Sequence, residues 1–141
     1  MSEPADTESS GRLTILTEYF YPEEASTAQL LTDLATGLVR RRGFDVSVVT
    51  GQPNYHDDDR QASVPTRETH EGVEIERLRA TRFDKDSLPL RLINWTTFTI
   101  LSLIRLLYDH ADDDAVLVLS NPPILPFVAW LNHKLRGTPY V

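Results

Sequence analysis

The stretch TEYFYPEEASTAQLLTDLATGLVRRRGFDVSVVTG, Thr17 to Gly51, reads as a strand end, a loop, a helix, a turn and a second strand. Ahead of it, Leu13 to Thr17 is a short apolar run suited to a buried parallel strand. Ser26 with Gln29 three residues on fits a capping box at a helix start. Leu30, Leu31, Leu34, Ala35, Leu38 and Val39 recur at helical spacing and are expected to form one buried stripe. Arg40, Arg41 and Arg42 suit the negative end of the helix dipole, and Gly43 suits the left-handed position after it. Val46 to Thr50 is the second strand. This is a βαβ unit of the mononucleotide-binding type, yet the loop between its first strand and its helix has no glycine and carries Glu23 and Glu24.

The elements that follow extend the same plan. Gly51 to His70 is long, polar and expected to be irregular, which is uncommon inside compact domains. Val73 to Leu78 alternates with Glu74, Glu76 and Arg77, as an edge or half-exposed strand would. Leu88 to Tyr108 reads as one long helix, apolar on most faces and broken by Arg91, Asn94 and Arg105. Its arginines argue against a bilayer span. Packing on a sheet is the favoured reading; the alternative adds contact with a membrane surface, with Trp95 and the arginines at the headgroup level. Ala115 to Leu119 is a further buried strand. Ser120 or Asn121 is expected to cap a helix that has proline in its first turn and ends near Arg136 and Gly137. TPYV then opens another strand, which is expected to be half made, so that the chain needs a larger whole or a partner. Strands alternating with helices predict an α/β fold: a Rossmann-like parallel sheet with helices on both faces.

Composition narrows the chemistry. The 141 residues carry a net charge of −7, which disfavours nucleic acid as a partner. Two Lys stand against twelve Arg, and the acids include the runs Asp57–Asp59 and Asp112–Asp114, a balance that suggests salt adaptation. The absence of cysteine excludes disulfides and thiolate chemistry. His56, His70, His110 and His133 show no metal-ligand spacing, and the HDDD run at 56–59 is better explained as a solvated loop than as a hard-metal site. Residues 1–11 are polar and acidic and read as a disordered leader to one domain over 12–141, incomplete at its C-terminus. They lack the pattern of a signal peptide, so the cytoplasm is the expected location.

In open α/β sheets, ligands sit beyond the carboxyl ends of the strands. Three loops should meet there: Glu18 to Thr27, Gly51 to Tyr55 and Ser120 to Pro123. The first ends at a helix N-terminus, whose free N–H groups favour an anion or an oxygen-rich ligand. With neither GxGxxG nor a P-loop, close backbone approach to a phosphate is disfavoured. Tyr21, Glu23, Ser26, Thr27, Gln52, Asn54, Tyr55, Ser120 and Asn121 are therefore the candidate binding residues, offering hydrogen bonds and stacking to a polyol or sugar. Glu23 and Glu24 have a second reading, as acids that complement the helix N-terminus. No catalytic residue is assigned, because nothing in the sequence orients a histidine onto a nucleophile.

The ordered motifs Tyr19-Phe20-Tyr21-Pro22-Glu23, Leu38 to Gly51 and Pro53-Asn54-Tyr55 resemble the N-terminal segment of family 4 glycosyltransferases. REThEGVEIERLRA (His70 in lower case) is similar to that family's strand ending in arginine, and AVLVLSNPPILPFVAWLNHKLRGTPYV to its SPP…G.P.V segment. The similarity runs from Arg12 to Val141. It implies the N-terminal, acceptor-side half of a retaining enzyme of the GT-B fold. A nucleotide-sugar donor would be held by a C-terminal half that this sequence does not contain, as a further domain or a second chain. The acceptor would be a glycan or lipid-linked sugar, with peripheral membrane contact through 88–108. Many relatives have glycines where Ala25-Ser26-Thr27 stand, so this loop is not expected to touch the donor diphosphate. The competing readings are a non-enzymatic Rossmann-like binding module and an inactive remnant.

Overall fold

The computed structural model describes residues 11–21, 26–52, 65–80, 86–110, 113–120 and 122–141. Five strands, β1 (Arg12–Leu16), β2 (Asp45–Gly51), β3 (Arg67–His70), β4 (Val73–Leu78) and β5 (Ala115–Val118), form one sheet in the order β3-β4-β2-β1-β5. All neighbours are parallel except the β3–β4 edge pair. Helix α1 (Ser26–Arg42) joins β1 to β2, α2 (Leu88–Tyr108) carries the chain from β4 across to β5, and α3 (Leu125–Arg136) follows β5. The expected Rossmann-like α/β architecture is present. Tyr140 makes a parallel bridge to Val116, with the Val116 amide donating to Pro139 O at 2.9 Å.

The two faces of the sheet follow from the alternation of its strands. Ile15, Val48 and Ile75 point to one side and pack with Leu31 and Ala35 of α1. Leu16, Val49 and Val116 point to the other and pack with Phe98 and Leu106 of α2 and with Leu125 and Val128 of α3. A one-residue slip in register would exchange the two faces, so burial on both sides fixes the pairing. Helix α1 ends as its sequence predicts. Gly43 takes φ 69°, and the amides of Gly43 and Phe44 donate to Val39 O and Leu38 O, closing the last turn.

Four expectations are corrected. The segment 51–70 is not all irregular: β3 pairs with β4 through a two-residue turn, Glu71-Gly72, in which both residues have positive φ (50° and 87°). Such a turn matches the twist of a hairpin, and a Cβ on Gly72 would lie 2.8 Å from Val39 Cγ1. Consequently β4 is an interior strand, and β3 is the edge. The stripe on α1 is narrower than its apolar residues suggest, because Leu30 and Leu34 face solvent while Ala28, Leu31, Ala35 and Thr36 are buried. Finally, α3 starts at Leu125 with Pro126 in its first turn, so Ser120 is not its cap. Asn121 and Pro122 each precede a proline, which disfavours helical backbone there. A turn closed by Leu125 N–H donating to Pro122 O intervenes. Ala25, the position before α1, lies outside the described residues, as do the 1–10 leader and the HDDD run.

Helix α2 packs on the sheet through a narrow stripe, Phe98, Ser102 and Leu106. By length and composition it could cross a membrane, but those inward residues are held in the core. Leu106→Ala should cost about 2–5 kcal/mol in denaturant unfolding, the usual penalty for a buried leucine. Leu30→Ala should change stability by about 0.5 kcal/mol or less. Equal losses would contradict the assigned burial.

Candidate functional site

The carboxyl ends of β2, β1 and β5 stand side by side, and strand order reverses between β1 and β5. In open α/β sheets such a reversal is where a crevice forms, because the loops leave in opposite directions. The β1–α1 loop is stitched to the end of β2. Glu18 O accepts from the Gly51 amide at 3.2 Å and from Thr50 Oγ1 at 3.1 Å. A Cβ on Gly51 would sit 3.2 Å from that same carbonyl, so glycine permits the approach. Thr17 Oγ1 donates to Tyr19 O, and Phe20 is buried, while Tyr19 and Tyr21 are half-buried.

Arg77 anchors the far side of this loop. Its side chain is fully buried. One nitrogen, Nη2, donates to Tyr21 O at 2.7 Å and to Glu68 Oε1; Nη1 donates to Pro65 O at 3.0 Å. A buried cation needs such partners, because leaving water without them is costly. One guanidinium thus ties together β4, β3, the connection preceding β3 and the loop that bears Tyr21. The Tyr21 ring stacks on His70 with centroids 3.8 Å apart. Arg77, Glu68 and His70 were not among the candidates from sequence. The signal was present in VEIERL: period two places Arg77 on the same face as Val73 and Ile75. An arginine on an apolar face must have partners.

Of the predicted residues, the structure brings Ser26, Thr27, Gln52 and Ser120 to this one end of the sheet, whereas the Tyr21 ring turns back onto His70, beside the amino end of β4. Ser26 and Thr27 are exposed in the first turn of α1, Gln52 is half-buried just after β2, and Ser120 is exposed just after β5. Glu23, Asn54, Tyr55 and Asn121 lie outside the described residues. The described set is uncharged and rich in hydroxyl and amide groups, so it can both donate and accept hydrogen bonds.

Two other hollows lie away from the crevice. One of about 330 Å³ is lined by Ser47, Glu74, Glu76, Arg67 and His110, and one of about 280 Å³ by Thr66, Arg79, Leu101 and Arg105. Both flank α2 beside the β3–β4 edge, and neither includes a residue of the crevice set. The loop ends make the stronger site, because they combine convergent polar groups with the strand-order reversal. A Thr14–His110–Asp113 cluster lies toward the opposite ends of the strands. His110 Nδ1 is 3.0 Å from Thr14 Oγ1 and 3.1 Å from Asp113 Oδ2. Both partners meet the same ring nitrogen, whereas a nucleophilic triad needs them on opposite nitrogens. The cluster therefore fastens the α2–β5 turn to β1. No group of three or more metal-ligating side chains occurs among the described residues.

Arg77→Met should lower stability by about 3–5 kcal/mol, because Glu68 and two carbonyls lose their donor together. Denaturant unfolding measures the loss, and a change within about 0.5 kcal/mol would show that the buried guanidinium does not hold the loop.

No curated protein matches the sequence. Among solved structures, the C-terminal domain of a hydrogenase from Pyrococcus furiosus is similar in fold. Its TM-score is 0.59 at 15% identity, covering 98% of this chain and 95% of that one. At that identity the likeness concerns the fold alone. The family model for the glycosyl transferase 4-like domain matches residues 27–141, from the second residue of α1 through β2, Arg77 and all the elements after it. The chain belongs to the glycosyltransferase 4-like family.

Proposed function

We propose that this chain is the acceptor-side domain of a retaining glycosyltransferase that moves a sugar from a nucleotide-sugar donor to a glycan or lipid-linked acceptor. The setting would be cell-surface polysaccharide or glycoprotein glycan synthesis. The observation that carries this reading is the gathering of Ser26, Thr27, Gln52 and Ser120 at the carboxyl end of the sheet, beside the strand-order reversal of a family 4-like domain. Their hydroxyl and amide groups suit the alternating donors and acceptors of a sugar ring. The N-terminus of α1 opens at the same end, and the first N–H groups of a helix have no partner within it. Nothing in the β1–α1 loop resembles the glycine-rich cradle that lets a backbone wrap a diphosphate. The donor would therefore be bound by a second Rossmann-like half, as a further domain or a separate chain, and transfer would occur in the cleft between the halves. In that cleft Gln52 and Ser120 would fix the hydroxyls of an acceptor ring.

Co-expression with a donor-binding half, followed by a radiolabelled sugar-transfer assay, tests this. Transfer should require both parts. Gln52→Ala and Ser120→Ala should each reduce kcat/KM about 3- to 10-fold, the usual worth of one hydrogen bond. Unchanged transfer in both variants would contradict the assignment of the crevice to the acceptor. So would tight binding of the nucleotide sugar by this chain alone.

A further inference from the structure

Strand β3 is an edge of the sheet, and the direction of its backbone groups follows from its hairpin. The two-residue turn closes on the pair His70–Val73, and from there hydrogen-bonded pairs with β4 alternate with non-hydrogen-bonded ones. The Arg77 amide donating to Thr66 O at 2.7 Å fits that phase. Glu68 and His70 therefore bond inward to β4, while Arg67 and Thr69 turn their N–H and C=O groups outward. Outside the ladder, no backbone hydrogen bond among the described residues involves Arg67 or Thr69. The side chains alternate as well. Arg67 and Thr69 are exposed on the α2 side of the sheet, and Glu68 and His70 are half-buried on the α1 side. A row of unpaired backbone groups is a template for another strand.

We infer that this strand is β3 of a second copy, paired antiparallel about a two-fold axis through Thr69. Residues 67–71 read Arg-Glu-Thr-His-Glu. A two-fold axis normal to the sheet keeps every side chain on its own face, so the possible registers differ by two residues. With Thr69 opposite itself, Glu68 faces the second copy's His70 and Arg67 faces its Glu71, and symmetry repeats both pairs. No like charges meet. Moving the axis to Glu68 sets carboxylate against carboxylate, and moving it to His70 sets imidazole against imidazole. Charges on a short edge strand ordinarily repel a neighbour. Here their order rejects the adjacent registers and matches one. In that register Thr69 exchanges two backbone hydrogen bonds with its own copy, in phase with the outward groups. The Glu68 carboxylate can accept from the facing imidazole whether that ring is charged or neutral.

Within its own copy Arg67 is held loosely, 3.6 Å from Glu76 and 4.0 Å from Asp109, so it can turn to a second copy. A strand of 4 residues buries less than the roughly 1,200 Å² of a stable complex, so the association is weak and reversible. Its position gives it a use. His70 stacks on Tyr21, and Glu68 accepts from Arg77. The two side chains that meet across the axis are thus the ones that hold the β1–α1 loop, and a second copy would restrain that loop further. The pairing does not rest on the proposed function.

Sedimentation velocity of the chain from about 10 μM to about 1 mM, a range that spans weak affinities, tests the pairing. The sedimentation coefficient should rise with concentration as monomer converts to dimer. Thr69→Lys and Thr69→Glu each set like charges on the axis. Each should weaken self-association about ten-fold or more, while far-UV circular dichroism stays that of the wild type. An equimolar mixture of the two variants should associate again, because lysine then meets glutamate. A monomer at every concentration would overturn the inference. So would a dimer that both variants form as well as the wild type, since the contact would then lie elsewhere, as on the exposed apolar residues of α2 and α3. Failure of the mixture to associate would overturn it too, because the two copies would not meet at Thr69.

Discussion

A single buried guanidinium holds the working end of this domain in place. Arg77 reaches from an interior strand to the carbonyl of Tyr21, to the carbonyl of Pro65 and to Glu68. Each of those groups belongs to a different segment, and the one side chain ties them together. A charge wholly removed from water tolerates few arrangements, because every lost partner leaves a desolvation cost uncompensated. The β1–α1 loop is thereby fixed from one side by Arg77 and from the other by the hydrogen bonds between Glu18 and the end of β2. That loop leads into helix α1, whose first turn carries the hydroxyl groups of Ser26 and Thr27.

The rest of the site follows from topology. The crossover from β4 to β5 moves the chain past β2 and β1, so the loops after β1 and β5 diverge and leave a crevice between them. The same crossover puts α2 on the face opposite α1, where its length carries it beyond the sheet. A short helix would cover the core equally well, since only Phe98, Ser102 and Leu106 are buried. Sheet order and loop divergence are thus two results of one connection.

Much of this was legible in the sequence. Strand and helix periods gave the α/β plan, the glycines at 43 and 137 marked helix ends, and α2 was read over its full extent, Leu88 to Tyr108. What escaped had physical causes. Strand β3, RETH, has no apolar residue, so an edge strand held by backbone pairing left no hydrophobic signal. Its turn is Glu-Gly, which lacks the usual asparagine or aspartate cue. Leu30 and Leu34 matched the helical stripe but lie too far round α1 to reach the sheet. The consecutive prolines at 122 and 123 carry the pattern of a helix start, yet they delay it by a turn. In the site, period two could have identified Arg77, whereas its partners Tyr21 and Pro65 are brought near only by folding.

The central claim is that the crevice is built for hydroxyl groups and not for a diphosphate. Its most direct test is an amide chemical-shift titration of the chain with a neutral oligosaccharide and, separately, with a nucleoside diphosphate. The account predicts that the saccharide perturbs the amides of Thr27, Gln52 and Ser120, while the diphosphate leaves them nearly unmoved. Saturable perturbation of those amides by the diphosphate, with none by the saccharide, would contradict it.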